Sequence, residues 1–266
     1  MPSPDDKSDQ QKEAEKIAKK HERELIAAVL AALFFLQTRV NLYAVLLYHG
    51  DIWDEFNAEI GQSISPVFDA YDQSARTLWK PFDSLSPEVI QEQRDYKSAF
   101  VREFGAGTRD AVNAVFAWGS QNNLSQTDVA KMLAMTAGTN QRQTGAMLVM
   151  WKMLQDTGAS PGIMDKMLRK SADKYLKDRA KTTAGTELWR AVNMGREAAA
   201  KQAERMSNEE VVGVKTWVTS EDERTCPRCF ALHGEEQPIG EMFSAGVMMP
   251  GLHCSCRCWV EINLND

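Results

Sequence analysis

The sequence predicts a mainly α-helical protein that ends in a small β-containing segment. From residue 3 to about Met206, charged residues and good helix formers alternate with apolar residues at helical spacing. After Met206 the pattern changes, because Val211–Thr219 and Cys258–Ile262 are rich in β-branched and aromatic residues. We therefore expect an N-terminal helical region and a C-terminal α+β domain.

The first predicted helix is long. Residues 3–24 carry charges of both signs and continue without a breaker into an apolar segment that ends at His49. One helix with a solvated start and a buried second half is expected, and Gly50 is its expected end. The apolar run Leu25–Leu36 is followed by polar residues, and its length favours a buried helix over a membrane span.

Serine–proline pairs mark two later helix starts. A capping serine precedes a proline at Pro87 and at Pro161, so a helix is expected to begin at each. Turn-forming residues predict breaks, and the patterns between them predict shorter helices. The breaks are expected at Phe104–Thr108 and Asp156–Ala159, and the shorter helices at Ser125–Ala137 and Gln141–Leu154.

Composition limits the class of protein. The 266 residues are 43% hydrophobic and 26% charged, which is typical of a soluble protein with one large domain or two. The net charge of -6 argues against a surface built throughout for nucleic acid. All five cysteines lie between residues 226 and 258, and the N-terminus lacks a signal-peptide pattern, which favours folding in a reducing cytoplasm.

The cysteine-rich stretch has the spacing of a metal site. Cys226 and Cys229 share a three-residue offset with His253 and Cys256, and together they offer the four N/S ligands that tetrahedral zinc prefers. Cys258 lies two residues after Cys256 and would face the same side of a strand, so it is an alternative to either His253 or Cys256. Four protein ligands leave no open position, so the zinc would be structural.

The two predicted strands are expected to pair beside this motif. A small zinc-knuckle β-hairpin over residues 207–266, docked on the preceding helix, would bury Trp217 and Trp259. Cys254 is expected to point away from the metal. Without a metal, the cysteines would be small buried hydrophobes or would pair as disulfides, Cys226 and Cys229 with Cys256 and Cys258.

Residues 161–206 predict a long amphipathic helix or a broken pair of helices. This segment has a local net charge of +5, and its charged residues are assigned to a polar face. The interpretation that we prefer is a solvated face with neighbouring ion pairs. The alternative is a contact with DNA phosphates or an acidic partner through four lysines, Lys170, Lys174, Lys177 and Lys181.

Several elements in order resemble one known family. These elements are Arg179-Ala180, Thr186-Glu187-Leu188, Asn193, Gly195, Lys215–Thr219, Thr225–Cys229, Leu232, Gly234, Pro250, His253 and Cys256–Cys258. They resemble the phage Mu F-like head morphogenesis family, whose members are minor head proteins of tailed bacteriophages. Two positions depart from the family pattern: Cys254 stands where proline is usual, and His233 stands where an acidic residue is common.

The resemblance implies a role in virion assembly. Residues 158–266 would form the Mu F-like domain, and residues 1–157 would be a helical region that docks on portal or capsid protein. The expected partners are the phage portal protein, capsid and scaffold proteins and, in some family members, packaged double-stranded DNA. The protein would be assembled in the host cytoplasm and found at the portal vertex of the head, with no membrane or small-molecule substrate.

Two other classes of function were considered. A metal-stapled, HNH-like nuclease would need an acid/base cluster, for which Asp222, His233, Glu235 and Glu236 are candidates, but no second histidine–carboxylate set follows the knuckle. A zinc-dependent DNA-binding protein would need a basic recognition helix after the knuckle, and the sequence has none. We therefore expect a structural protein and not an enzyme.

Overall fold

The computed structural model describes residues 8–42, 50–207, 212–220 and 225–265. It contains long helices followed by a small sheet, as predicted from the sequence. The elements are α1 Asp9–Leu42, α2 Gly50–Gln62, α3 Ser65–Leu78, α4 Pro87–Gln121, α5 Gln126–Thr136, α6 Gln141–Asp156, α7 Pro161–Met206, β1 Val212–Val218, α8 Pro227–Phe230, β2 Glu236–Pro238 and β3 Trp259–Asn265. Within these ranges no helix combines the length and the apolar character needed to cross a bilayer.

The chain forms two compact units, each assembled from separate segments. The first unit takes the described parts of Met1–Leu25, Ser65–Gln93 and Thr182–Asp266, and the second takes those of Ile26–Ile64 and Arg94–Lys181. The predicted domains, residues 1–157 and 158–266, follow the family-like segment and not these units. That division stays a prediction.

The predicted helix starts at Pro87 and Pro161 are confirmed. Ser86 Oγ accepts a hydrogen bond from the backbone N–H of Val89 at 3.4 Å, as an N-cap serine does. The two shorter helices are present as α5 and α6, and Ser125 caps α5 in the same way. The break after Asp156 is also present, because α6 ends there.

The predicted break at Phe104–Thr108 is wrong, since α4 runs through it without interruption. Phe100, Phe104 and Thr108 are buried at helical spacing, so this segment packs as one face. A Cβ atom at Gly105 would lie 2.7 Å from Asn57 Oδ1, which explains why glycine stands at this close approach. Packing outweighs the cost of about 1 kcal/mol for a glycine inside a helix.

The first predicted helix is present in the residues that the structure describes, and its predicted extension to His49 is not tested. Helix α1 spans Asp9–Leu42, and residues 43–49, including the predicted end at His49, lie outside the described ranges. Gly50 does not end a helix, because it is the first residue of α2. Asp51 follows it in the first turn, where an acidic side chain is favourable to the helix dipole.

Residues 161–206 form one continuous helix, α7. Four charged residues that were assigned to its solvated polar face are buried instead. Arg179, Glu187, Arg196 and Glu197 are buried, with exposed fractions of 7%, 7%, 3% and 0%. Tertiary partners explain their burial. In the second unit, for example, the Arg179 guanidinium donates to the carbonyl of Gly138 at 2.6 Å, and burial lowers the pKa of this arginine to about 9.

The sheet is antiparallel with the strand order β2-β1-β3. The predicted pairing is confirmed, because β1 pairs with β3 in a register that places Trp217 opposite Val260. Trp217 and Trp259 are both fully buried, as expected. Strand β2 was not predicted, since its three residues, Glu236–Pro238, are too few to show an alternating pattern.

Candidate metal centre

The cysteine-rich stretch is part of the hydrophobic core of the first unit. Cys229, Cys256 and Cys258 are buried in one cluster with Trp217 and Val260. Phe243 belongs to the same cluster and packs edge-on against Trp217, with the ring centroids 5.1 Å apart. The thiols therefore lie in an apolar core, where the charged thiolate form is unfavourable unless a cation or hydrogen-bond donors stabilise it.

The first ligand pair is set by the short helix α8. Cys226 is its N-cap, and the Cys226 Sγ accepts a hydrogen bond from the backbone N–H of Cys229 at 3.4 Å. Pro227 occupies the first helical position, where its missing N–H and fixed φ suit a helix start. This turn holds the Cys226 and Cys229 sulfurs on the same side of the chain.

A second tight turn sets the other half of the site. Ser255 has a φ of 60°, in the left-handed region that is unfavourable for most residues. Its backbone N–H donates to Thr186 Oγ1 at 2.8 Å, and the backbone N–H of Cys256 donates to the carbonyl of His253 at 3.2 Å. The turn reverses the chain between His253 and Cys256.

The two turns bring five side chains into one cluster. His253 Nε2 lies 3.1 Å from the Cys226 sulfur and 3.3 Å from the Cys229 sulfur. The Cys229 and Cys256 sulfurs are 3.9 Å apart. Two overlapping groups have all ligand atoms within 4.8 Å of one another: Cys226, Cys229 and His253, and Cys229, Cys256 and Cys258. These groups can hold a metal ion.

Three separations in the cluster are close to those of a tetrahedral zinc site, although the four predicted ligands fall in two overlapping groups and not in a single one. With Zn–S bonds of about 2.3 Å and Zn–N bonds of about 2.0 Å, tetrahedral geometry places two sulfurs about 3.8 Å apart and a sulfur and a nitrogen about 3.5 Å apart. The Cys229–Cys256 separation of 3.9 Å agrees with the first value. The His253 distances of 3.1 and 3.3 Å are a few tenths of an ångström shorter than the second.

Hydrogen bonds divide the thiols into acceptors and donors. The pKa of Cys256 is lowered to about 5, first by its hydrogen bond with Cys258, while the same bond raises the pKa of Cys258. Burial raises the pKa of Cys229 to about 12. The Nδ1–H of His253 donates to the carbonyl of Cys254 at 2.8 Å, and this bond is the first cause of the raised pKa of His253. The site thus favours a thiolate at Cys256.

Other candidates from the sequence lie outside this cluster. Cys254 is exposed and belongs to neither group. His233 accepts a hydrogen bond from the backbone N–H of Thr219 at 3.2 Å, and Glu235 accepts from the hydroxyl of Ser244 at 2.7 Å. Asp222 lies outside the described residues. Neither Glu235 nor Glu236 belongs to a metal-binding group with His233 in the part of the chain that the structure describes.

The four lysines named as a DNA or partner surface are part of the second unit. Lys170, Lys174, Lys177 and Lys181 are all exposed on α7. Offsets of four, three and four residues align them as one stripe along the helix. None of the four takes part in an ion pair among the described residues, whereas Arg169 on the same helix pairs with Asp165 at 2.9 Å.

Sequence reasoning missed the side chains that hold β3 in place. Asn193 of α7 accepts from the backbone N–H of Val260 at 2.9 Å and donates to the carbonyl of Cys258 at 3.2 Å. Arg196 donates to the carbonyl of Val260 at 3.1 Å and to the side-chain oxygen of Gln10. Only Asn193 carried a signal, since it was part of the family-like pattern.

A buried ion pair was also missed. Lys215 of β1 is fully buried, and its Nζ donates to Glu197 Oε1 at 3.0 Å and to the carbonyl of Met248 at 2.7 Å. Glu197 also accepts from the backbone N–H of Gly240 at 2.9 Å. These bonds fix the loop between β2 and the second ligand pair against α7.

One protein family matches the part of the chain that contains the candidate metal centre. Residues 156–261 match the family described as phage Mu protein F like protein, and this segment contains the whole cysteine–histidine cluster. The predicted resemblance is confirmed over that segment. No curated protein and no solved structure gave a match to the chain.

Proposed function

We propose that this chain, whose residues 156–261 belong to the phage Mu F-like family, is a structural minor head protein that acts in head morphogenesis at the portal vertex. The family places it among phage head-morphogenesis proteins, which work with other head proteins in the virion. The observation that carries the proposal is the ligand cluster built into the core of the segment that matches the family. Its partners are the portal protein and the capsid or scaffold proteins.

The metal in this proposal is a structural zinc. Cys226, Cys229, His253 and Cys256 hold it, with Cys258 as the alternative ligand, because soft thiolates with an imidazole suit zinc. Cys256 and Cys258 both belong to one group with Cys229, and the 3.9 Å separation of the Cys229 and Cys256 sulfurs is compatible with Cys256 as the fourth ligand. Since a thiolate is the ligand form, zinc would stabilise the charge that the core otherwise disfavours.

The proposal assigns no catalysis to the protein. Four protein ligands would leave no coordination position for a water or substrate, which is what a hydrolytic zinc needs. The test against the HNH-like alternative is incubation of supercoiled plasmid with the purified protein and magnesium, manganese or zinc. No nicking is expected. Metal-dependent nicking that disappears in a His233→Ala variant would establish the nuclease instead.

A contact with packaged DNA is the second element of the proposal. The support is the stripe of Lys170, Lys174, Lys177 and Lys181, which is exposed and has no intramolecular ion pairs in the described ranges. Reversing all four to glutamate should weaken binding to duplex DNA and lower the slope of log K against log salt by about one unit for each lost phosphate contact. The matched control reverses four exposed lysines of α1: Lys12, Lys16, Lys19 and Lys20.

If both quadruple variants bind DNA as the wild type does, the stripe is a solvated helix face. If both lose affinity equally, the effect is one of net charge and assigns no surface. Only a loss confined to the α7 variant supports the stripe.

The location in the head is tested by imaging. Cryo-EM of heads assembled with a tagged copy of the full chain should show the tag at the unique portal vertex in low copy number. Tag density on every vertex, or heads assembled at normal yield without the protein, would contradict the proposal.

A further inference from the structure

An open trough lies between α2 and α4 in the second unit. Its volume is about 700 Å³, and small residues make up much of its lining: Ala58, Gly61, Gly105 and Ala106. A Cβ atom at Gly61 would lie 3.2 Å from Lys97 Cε, so this position is closely packed at the trough wall. The lining of α4 extends from Lys97 to Arg109, which is about 18 Å at the rise of an α-helix.

The rim of this α2–α4 trough carries charge of one sign. Lys97, Arg102 and Arg109 line it, and no aspartate or glutamate does. None of the three makes a salt bridge to any residue that the structure describes. The Arg109 guanidinium is held 5.1 Å over the ring of Trp53, which restricts where that charge can lie. The trough therefore presents a positive potential around a lining of small residues.

We propose that the α2–α4 trough docks an acidic amphipathic helix of a partner protein. A trough of about 18 Å matches about three turns of helix, and the exposed Ala58 and Ala106 offer a small apolar surface on which the apolar side chains of such a helix can pack. Carboxylates beside those apolar side chains would meet the three cations of the rim. That the partner is another head protein rests on the proposed function, whereas the docking chemistry does not.

Duplex DNA is the occupant that this geometry disfavours. A duplex is too wide to enter a trough between two packed helices, so its phosphates would reach only the rim. The floor at Ala58 and Ala106 would then remain uncovered, although its small apolar side chains distinguish it from the charged rim. A peptide helix uses both the floor and the rim.

The first test measures peptide binding by the full chain. The probe is a fluorescent synthetic helix of about 14 residues, or about four turns, with leucines at every third or fourth position flanked by glutamates. The triple variant Lys97→Gln, Arg102→Gln, Arg109→Gln should weaken its Kd by about 3-fold to 150-fold, because each of the three exposed ion pairs contributes about 0.2–1 kcal/mol. A Lys170→Gln, Lys174→Gln, Lys177→Gln variant, which removes the same charge elsewhere, should bind like the wild type.

The second test fills the trough without changing charge. Ala106 lines the trough, whereas a Cβ at its neighbour Gly107 would meet no atom within 4 Å. Ala106→Leu should abolish saturable binding of the peptide, and Gly107→Leu should leave it unchanged. Leucine is a good helix former at both positions, and thermal unfolding checks both variants, so a binding loss with an unchanged Tm is a local effect.

Three outcomes would overturn the proposal: no saturable binding of the acidic peptide to the wild type, equal binding of a peptide with glutamine in place of glutamate, or equal effects of Ala106→Leu and Gly107→Leu. Displacement of the peptide by duplex DNA at equal charge concentration would assign the trough to nucleic acid. A chain that enters heads normally but binds no peptide would refute the trough and leave the proposed function standing.

Discussion

Lys215 Nζ lies 3.0 Å from Glu197 Oε1, and neither side chain has any exposure to solvent. Burial lowers the pKa of Lys215, and Glu197 opposes that shift. The Lys215 ammonium also donates to the carbonyl of Met248, and Glu197 Oε1 also accepts from the N–H of Gly240, whereas Glu197 Oε2 makes no hydrogen bond to the described residues. A charge-paired lysine on the buried face of a strand is thus part of the core beside the cysteine–histidine cluster.

Breaking this pair should destabilise the first unit strongly. Lys215→Met leaves the Glu197 carboxylate buried without its main partner, and removal of one member of a buried pair typically costs about 3–5 kcal/mol. The free energy of unfolding in urea measures the loss. Lys201→Met is the control, since Lys201 also contacts Glu197, at 3.5 Å, but is 39% exposed. A Lys215→Met variant as stable as the control would contradict the buried-pair account.

Serine substitutions at the cluster should separate ligands from bystanders. We expect about one zinc per chain in the wild type and none in Cys229→Ser, because Cys229 belongs to both ligand groups. Cys254→Ser is the matched control and should keep its zinc, since that thiol is exposed and outside both groups. Elemental analysis of protein purified without chelator makes the measurement. Equal zinc content in both variants would exclude the assigned site.

Removal of the zinc should loosen the sheet region first. Binding to the folded state adds directly to stability, so chelation should raise hydrogen exchange in residues 225–265 before the helices of the second unit. Exchange measured by mass spectrometry with and without EDTA tests this. Uniform exchange changes across the chain, or none, would mean that no metal holds this region together.

Gly195 should not tolerate a side chain. A Cβ atom there would lie 2.2 Å from the carbonyl oxygen of Tyr71, a separation that requires α7 and α3 to move apart. Gly195→Ala should therefore lower the free energy of unfolding in spite of alanine's better helix propensity. In the same helix a Cβ at Gly185 meets nothing within 4 Å, so Gly185→Ala should be neutral or stabilising by up to about 1 kcal/mol.

The pH dependence of stability should report on Glu92. Its carboxylate accepts a hydrogen bond from the Tyr71 hydroxyl at 2.6 Å, but burial raises its pKa above the ordinary 4.5. The folded state therefore holds the proton longer than the unfolded state, and the wild type loses stability relative to Glu92→Gln as pH rises from about 4.5 upward. Chemical unfolding at a series of pH values measures the difference.

Glu88 provides the control of opposite sign. Its pKa is lowered, first by a bond to its own backbone and then by Ser86, so its charged form is favoured by folding. Relative to Glu88→Gln, the wild type should gain stability as the pH rises toward about 4.5, below the range in which Glu92 loses it. If the free energy of unfolding, relative to the wild type, changes with pH in the same direction in both variants, burial of Glu92 does not determine its pH dependence.

The local parts of the fold were predictable because their signals are local. The Cys226–Cys229 and His253–Cys256 offsets each describe a single turn of chain, and the structure places both turns in one cluster. Serine–proline caps marked the starts of α4 and α7 for the same reason. Each of these features depends on residues within four positions of one another.

The features that sequence reasoning missed depend on distant partners. Gln10 Nε2 donates to the carbonyl of Ile262 at 3.2 Å, across most of the chain, and no pattern near residue 10 indicates it. Arg179 was assigned to a solvated helix face, and burial of Lys215 was not predicted, because charged residues are rarely buried without partners. The partner of Arg179 is Gly138, which lies between α5 and α6, and the partner of Lys215 is Glu197, which lies in α7.

The side chains of Asn193, Arg196 and Gln10 bond to the outward-facing backbone groups of β3, at Cys258, Val260 and Ile262. At the opposite border of the sheet, β2 is three residues long and ends in Pro238, which has no N–H to donate. An additional strand from a neighbouring molecule would thus find few open hydrogen-bonding groups along β2 or along Cys258–Ile262 of β3. This arrangement discourages strand-to-strand aggregation and leaves helical surfaces for contacts with other molecules.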